Sequence, residues 1–304
     1  MSFEITILGS GAAIPTSRRN PTSQYIVCND RHLLVDCGEG TQMQLRRFGI
    51  RFQRITHILI SHLHGDHYFG LVGLLSTMHL MGRDKGITIY GPPELEQLVR
   101  LQLEAAGTKP EFKLKFVVTS PESLKVIYSD RMIEISSFPL KHRIPTTGFL
   151  IREQTKERGL NSDALKGSGL GIEHFAKLKS GKDVFLQSGE LRKAEDYTFD
   201  PKPSYSYAYC SDTAFMPELA DVLKNSNVLY HEATFTEADR DRASATFHST
   251  AAQAAKIAHM IGVDTLLLGH LSARYDEVET HLVEAKSIFP NSIVVEDGMK
   301  ICIP

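Results

Sequence analysis

The sequence predicts an α/β (α+β) chain, built as two sheets or one large mixed sheet with helices outside. Two observations point there. Short apolar runs bounded by Gly, Asn, Asp and Ser recur in the first and last thirds of the chain. Between them lie longer segments with helical caps and apolar faces.

Residues 4–8 (Glu-Ile-Thr-Ile-Leu) read as a strand ending at Gly9-Ser10-Gly11. That GxG is a tight turn, because Ile14 stands where a dinucleotide loop would carry its third glycine. Residues 23–28 and 31–35 form a hairpin around Asn29-Asp30, and its second strand runs into Asp36-Cys37-Gly38-Glu39-Gly40. Ile58-Leu59-Ile60-Ser61 is a buried strand, and 69–81 is a helix apolar over most of its length and therefore buried. A strand follows at 87–90, then a helix that Pro92-Pro93 opens and Gly107 closes. Strand-like 132–138 precedes His142. The last third repeats the rhythm, with strands at 204–210, 227–230, 265–268 and 292–296. Ser249 or Thr250 caps an alanine-rich helix running to Met260.

From 153 to 195 the apolar periodicity fades and Gly, Lys and Ser accumulate. Between 141 and 182, nine basic residues stand against four acidic ones, in a chain of net charge −2. A solvated loop and a projecting, phosphate-contacting arm both fit, and the charge excess does not choose between them.

The length of 304 residues suits one large domain or two small ones. Net charge −2 excludes a global basic field for nucleic acid, so any such contact is local. Four cysteines with no CxxC pair fit a reducing cytoplasm. Met1-Ser2-Phe3-Glu4-Ile5 carries an acid where a signal peptide would be basic, and no apolar run reaches membrane-spanning length. A soluble cytoplasmic protein is the expectation.

The densest chemistry is His62-Leu63-His64-Gly65-Asp66-His67, directly after the 58–61 strand. Near-extended backbone puts positions i and i+2 on one side, so His62 and His64 can face one metal. Asp66 and His67, where the chain turns into a helix, can face a second. Water held by such a metal ionises near neutral pH, which makes hydrolysis available. Two ions need more ligands. His142, Asp212 and His270 each end an apolar run, as the first cluster does, so one sheet edge could gather them. Asp36 sits at a similar strand end and is better placed to hold a histidine tautomer. His32, His57, His79, His174, His259 and His281 read as ordinary core or surface residues.

The order Asp36, His62/His64/Asp66/His67, His142, Asp212, His270 resembles the metallo-β-lactamase superfamily over almost the whole chain. Within it the chain is similar to the ribonuclease Z family, the tRNA 3′-processing endonucleases. That narrower likeness rests on Pro15-Thr16-Ser17-Arg18-Arg19-Asn20, His231-Glu232-Ala233-Thr234 and His248-Ser249-Thr250. The resemblance implies one αββα sandwich over 1–304 with a flexible, lysine-bearing substrate-binding arm inserted at 153–195. It assigns His62, His64 and His142 to one zinc, Asp66, His67 and His270 to the other, and Asp212 to a bridging position. The ions would be two zinc, or manganese. Asp66 would also orient or deprotonate the attacking water, and His248, braced by Glu232, would protonate the departing 3′ oxygen. Arg18, Arg19, Asn20, Lys177 and Lys179 would contact the substrate, a precursor tRNA. A homodimer is implied, with no membrane partner. Two departures stand out: the arm shows Gly169-Leu170-Gly171-Ile172-Glu173 where many relatives have a Gly-Pro pair, and no lysine follows Pro15 by two residues.

Overall fold

The computed structural model describes residues 3–304, so the Met1-Ser2 end of the N-terminal reading lies outside the described residues. Two compact units result: 3–152 with 205–304, and 153–204.

The first unit is two seven-stranded sheets. One contains β1 (Phe3–Gly9), β2 (Ser23–Cys28), β3 (Arg31–Val35), β4 (His57–Leu59), β5 (Ile87–Gly91), β6 (Leu114–Val118) and the last strand of the chain, Lys300–Ile303, which pairs with β1. The other contains β7 (Lys125–Ser129), β8 (Ile133–Leu140), β9 (Thr146–Glu153), β10 (Ser206–Cys210), β11 (Val228–Glu232), β12 (Thr265–Gly269) and β13 (Ser292–Val294). In each sheet one half is parallel: β3 through β6 in the first, and β10 through β13 in the second. A parallel set sends all its carboxyl ends to one edge, where ligand sites of open α/β sheets form.

Alternation along the strands sorts side chains into layers. On β11, Val228 and Tyr230 join Ile5, Ile7, Leu33 and Val35 in the core between the sheets. Leu229 points the other way, into a core shared with the helices Leu219–Val222, Ala251–Ile261 and Glu279–Lys286. Leu34 and Ile58 likewise face α1 (Thr41–Arg47), α3 (Leu71–Leu80) and α4 (Glu94–Ala105) across a third core. The layers are therefore helix, sheet, sheet, helix.

Several boundaries differ from the sequence expectation. The helix expected at 69–81 is α3, and a separate short helix that the sequence reading did not include, α2 (Gly65–Tyr68), precedes it across a break at Phe69–Gly70. The Gly70 N–H donates to Cys37 O at 2.9 Å, and a Cβ there would lie 2.2 Å from Gly38 O. Close backbone packing at Gly70 accompanies the break, and α2 carries Asp66 and His67. The far end of α3 is not buried, since Leu80 is 83% exposed. At 249–250 the cap is Thr250, whose Oγ1 accepts from Gln253 N in a reciprocal capping box. The 29–30 hairpin has both central residues at positive φ, 48° and 64°, as a type I′ turn requires.

The second unit is ordered rather than a bare loop. It holds helices Ser162–Leu165, Ile172–Lys179 and Ala194–Tyr197, and two short two-stranded ladders. Leu178, Val184 and Ala194 form its small core. Those three residues are too widely spaced in sequence to register as periodicity.

Candidate active site

The carboxyl ends of the strands bring the predicted metal ligands together. Asp36 follows β3, His62 to His67 follow β4, His142 follows β8, Asp212 follows β10 and His270 follows β12. Three of these, Asp36, Asp212 and His270, sit at positive φ (55°, 59° and 52°), as do Ala13 and Phe247 beside them. Left-handed backbone costs a non-glycine residue about 1–2 kcal/mol, a strain that well-packed sites sustain.

The donors form two sets. His64 Nδ1 lies 2.9 Å from His62 Nε2 and 3.2 Å from His142 Nε2. Asp212 Oδ2 is 3.7 Å from His62 Nε2 and 3.6 Å from His142 Nε2. On the other side, Asp66 Oδ2 is 3.5 Å from the Nε2 atoms of both His67 and His270. Asp212 Oδ1 approaches the same two nitrogens at 3.2 and 3.0 Å. Asp212 thus turns one oxygen to each set.

These residues fit a pair of divalent cations. Donors on a tetrahedral ion with bonds of about 2.1 Å stand about 3.4 Å apart. The His67 and His270 Nε2 atoms are buried, make no hydrogen bond of good geometry and face only the carboxylate oxygens of Asp66 and Asp212, an arrangement that a cation between them would satisfy. Their Nδ1 atoms are occupied: His67 by Asp36 Oδ2 at 2.7 Å, and His270 by Thr234 Oγ1 at 2.9 Å. His62 Nδ1 meets Ser61 Oγ at 3.0 Å and His142 Nδ1 meets Phe247 O at 3.1 Å. Each ring therefore has its tautomer set from behind, as metal-binding imidazoles do. Asp36 itself accepts from Ser61 N at 2.7 Å and from the Tyr209 hydroxyl at 2.7 Å.

Electrostatics divides the sets in the same way. Burial holds the His62, His64 and His142 imidazoles below their usual range, hence neutral. Burial also opposes charge on His67 and His270, but the facing Asp212 carboxylate outweighs it and pushes His270 up to about 10 and His67 well above its ordinary value. Asp66 and Asp212 are buried, which would raise them, yet the adjacent imidazoles hold both well below the carboxylate range. Three neutral imidazoles and two ionised carboxylates suit zinc or manganese, whose charge would take the place of the protons that Asp212 holds on His67 and His270.

A further pair adjoins the cluster. His248 Nδ1 lies 2.8 Å from Glu232 Oε1. Burial would depress His248, but the Glu232 carboxylate facing it raises it above its ordinary value. Glu232, fully buried, also accepts from Thr213 N at 2.7 Å, Ser249 N at 3.1 Å and Thr234 Oγ1 at 2.6 Å. The His248 ring stands 5.0 Å from that of His142 and 5.5 Å from that of His270.

All of this opens into a cleft of about 720 Å³, lined by His64, Asp66, His142, Asp212, His248 and His270 and rimmed by Arg143, Arg242 and Arg274. Of the expected substrate residues, Arg18, Arg19 and Asn20 do not line it. Arg18 and Arg19 donate to the carbonyls of Asp276 and Tyr275, and Asn20 donates to Asp297. These contacts tie one loop to its neighbours, while the Arg18 side chain stays 67% exposed. Lys177 and Lys179 are on the helix Ile172–Lys179 of the second unit, Lys177 exposed and Lys179 3.9 Å from Glu157. The three rim arginines carry no motif that singles them out in sequence. Arg143 alone had a signal, its place directly after His142.

A family model described as Anti-Pycsar protein Apyc1 matches residues 3–165. Curated relatives match far more of the chain. The ribonuclease Z of Parabacteroides distasonis is 42% identical over 301 residues, 99% of each chain, and that of Porphyromonas gingivalis is 38% identical over 300 residues with the same coverage. Among solved structures, the short form of human tRNase Z aligns with TM-score 0.72 and 27% identity over 99% of both chains. A metallo-β-lactamase fold protein of Bacillus subtilis, YhfI, aligns with TM-score 0.70 at 17% identity over 100% of both, a likeness of fold alone. The αββα layering is thus the metallo-β-lactamase fold, and by identity over its whole length the chain belongs to the ribonuclease Z family of hydrolytic endoribonucleases.

Proposed function

We propose that the protein removes the 3′ trailer of precursor tRNA, leaving a 3′-hydroxyl on the tRNA and a 5′-phosphate on the trailer. One observation carries this reading: the His248–Glu232 pair beside a seven-residue donor cluster split by Asp212. The relatives named ribonuclease Z and the tRNase Z structure support the choice of tRNA.

His62, His64 and His142 would hold one divalent cation, zinc or manganese; Asp66, His67 and His270 would hold the other; Asp212 would touch both. When bound, the two ions supply water activation and charge neutralisation at the phosphate. The chain's own residues do the rest. Asp66, fixed by the Ala13 N–H at 2.8 Å, is placed to orient the attacking water or take its proton. His248, kept protonated by Glu232, delivers a proton to the ribose 3′ oxygen as it leaves, which matters because an alkoxide is a poor leaving group. Arg143, Arg242 and Arg274 face flanking phosphates across the cleft mouth. Lysines of the 153–204 unit, Lys177 and Lys179 among them, contact the tRNA.

Among the described residues no helix is long and apolar enough to cross a membrane. We place the protein in the cytoplasm, where its substrate is made, and propose a homodimer buried in part through the exposed Leu80 and Met81. The deciding experiment incubates metal-analysed protein with a 3′-extended precursor tRNA and maps both new ends. A cut after the discriminator nucleotide supports the reading, and an uncut precursor overturns it. A second reading is hydrolysis of a small phosphodiester, which the same donor cluster could serve. Turnover of bis-(p-nitrophenyl) phosphate that equals or exceeds that of the precursor would favour it.

A further inference from the structure

Asp297, half-buried in the loop after β13, gathers five hydrogen bonds. Its Oδ1 accepts from Ser10 N at 2.9 Å and Ser10 Oγ at 2.8 Å. Its Oδ2 accepts from Asn20 N at 2.8 Å, Asn20 Nδ2 at 2.9 Å and Gln44 Nε2 at 3.2 Å. Among the described residues no cation pairs with it in an ion bridge. A lone carboxylate ringed by five neutral donors gains from charge-assisted bonds, each about twice as strong as a neutral one.

Four of those five donors are the two ends of one loop, and the fifth, Gln44, is on α1. Ser10 and Asn20 flank residues 11–19, and the neck is tight: Gly11 N donates to Asn20 O at 3.0 Å, and a Cβ on Gly9 would lie 1.8 Å from Pro21 O. At the loop's inner turn, Ala13 has φ 52° and donates its N–H to Asp66 Oδ2 at 2.8 Å. That same oxygen faces His67 Nε2 and His270 Nε2 at 3.5 Å. The neighbouring residue is tied to the ligand strand as well, with Ala12 N donating to Leu271 O and Leu271 N to Ser10 O.

We propose that Asp297 is a positioning residue for the metal-binding carboxylate of Asp66, acting through the 10–20 loop. It closes the loop at its neck, which holds Ala13 in a backbone state that an unrestrained alanine avoids, and so keeps the Ala13 amide on Asp66. The set Asp66, His67 and His270 depends on this brace. The set His62, His64 and His142 does not, since its backing comes from Ser61 and Phe247. The inference rests on the reading that these two sets each hold a divalent cation.

The test is a zinc titration against a chromogenic chelator, with two equivalents resolved. Asp297→Asn keeps the shape but turns an amide donor toward donors. It should weaken one equivalent about 10-fold and leave the other unchanged, the scale of loss seen when support behind a ligand is removed. Asn20→Ala, which deletes one of the five bonds, should weaken the same equivalent by less, and it decides the matter alone if Asp297→Asn does not fold. In a His270→Ala background, which lacks a ligand of the braced set, Asp297→Asn should have no further effect. Unchanged affinities, or an equal loss at both equivalents, overturns the inference while leaving the site reading intact. A wild-type protein that holds fewer than two equivalents overturns the site reading, and this inference with it.

Discussion

Glu232 is fixed by backbone and side-chain donors on all sides, so its partner His248 can be removed without disturbing the donor cluster in front of it. His248→Ala should therefore keep its metal content and lose about 100-fold or more in single-turnover cleavage. An unchanged rate removes the proton-donor role. Arg242 makes no ion pair among the described residues and faces the cleft, so Arg242→Ala should raise KM for precursor tRNA several-fold. Hydrolysis of bis-(p-nitrophenyl) phosphate should hardly change, because that substrate has no flanking phosphates to lose. At this scale sequence shows the donors and hides their supports. His62, His142, Asp212 and His270 stand out because each polar residue ends an apolar run. Ser61, Thr234, the Phe247 carbonyl and the Ala13 amide do not, because hydroxyls and backbone groups occur everywhere and only three-dimensional proximity selects them. Arg18, Arg19 and Asn20 have types that suit RNA, and sequence hides that they also tie their loop to Asp276, Tyr275 and Asp297.

Elements were legible where apolar pattern and caps agreed, as in α4 between its prolines and Gly107. They were blurred where tertiary packing intervened. The break between α2 and α3 lies where Gly70 meets the Cys37–Gly38 backbone, a contact no local pattern encodes. The 153–204 unit hid its order because its core is only a few residues. With an independent core, it should be removable without collapse of the two sheets. Replacing 154–203 by a short Gly-Ser linker should cut precursor tRNA turnover at least 10-fold and preserve turnover of bis-(p-nitrophenyl) phosphate. Equal losses on both substrates would count against a binding role for the arm.

Across the whole molecule, the two-sheet alternative was legible from alternating strands and helices, though strand order was not, since pairing is set by contacts distant in sequence. Two histidines read as ordinary prove to be buried neutral rings. Burial lowers His57 and His281 to about 4, and Arg19 adds to the effect on His281. Both bind protons more readily unfolded than folded between pH 4 and pH 6.5, so stability is present above about 6.5 and is lost as pH falls toward 4. The loss is on the order of 3 kcal/mol per ring. Both His281 nitrogens lack partners, so His281→Leu should stabilise the fold more at pH 5 than at pH 7.5, read as urea midpoints. Equal midpoint shifts at the two pH values would refute the assignment.

Ligands drawn from both sheets carry a consequence for biosynthesis. Asp36 to His67 emerge early from the ribosome, whereas Asp212 and His270 arrive only when most of the chain has been made. A nascent or truncated polypeptide can assemble no more than part of the pocket, so competence for cleavage arrives all at once and late.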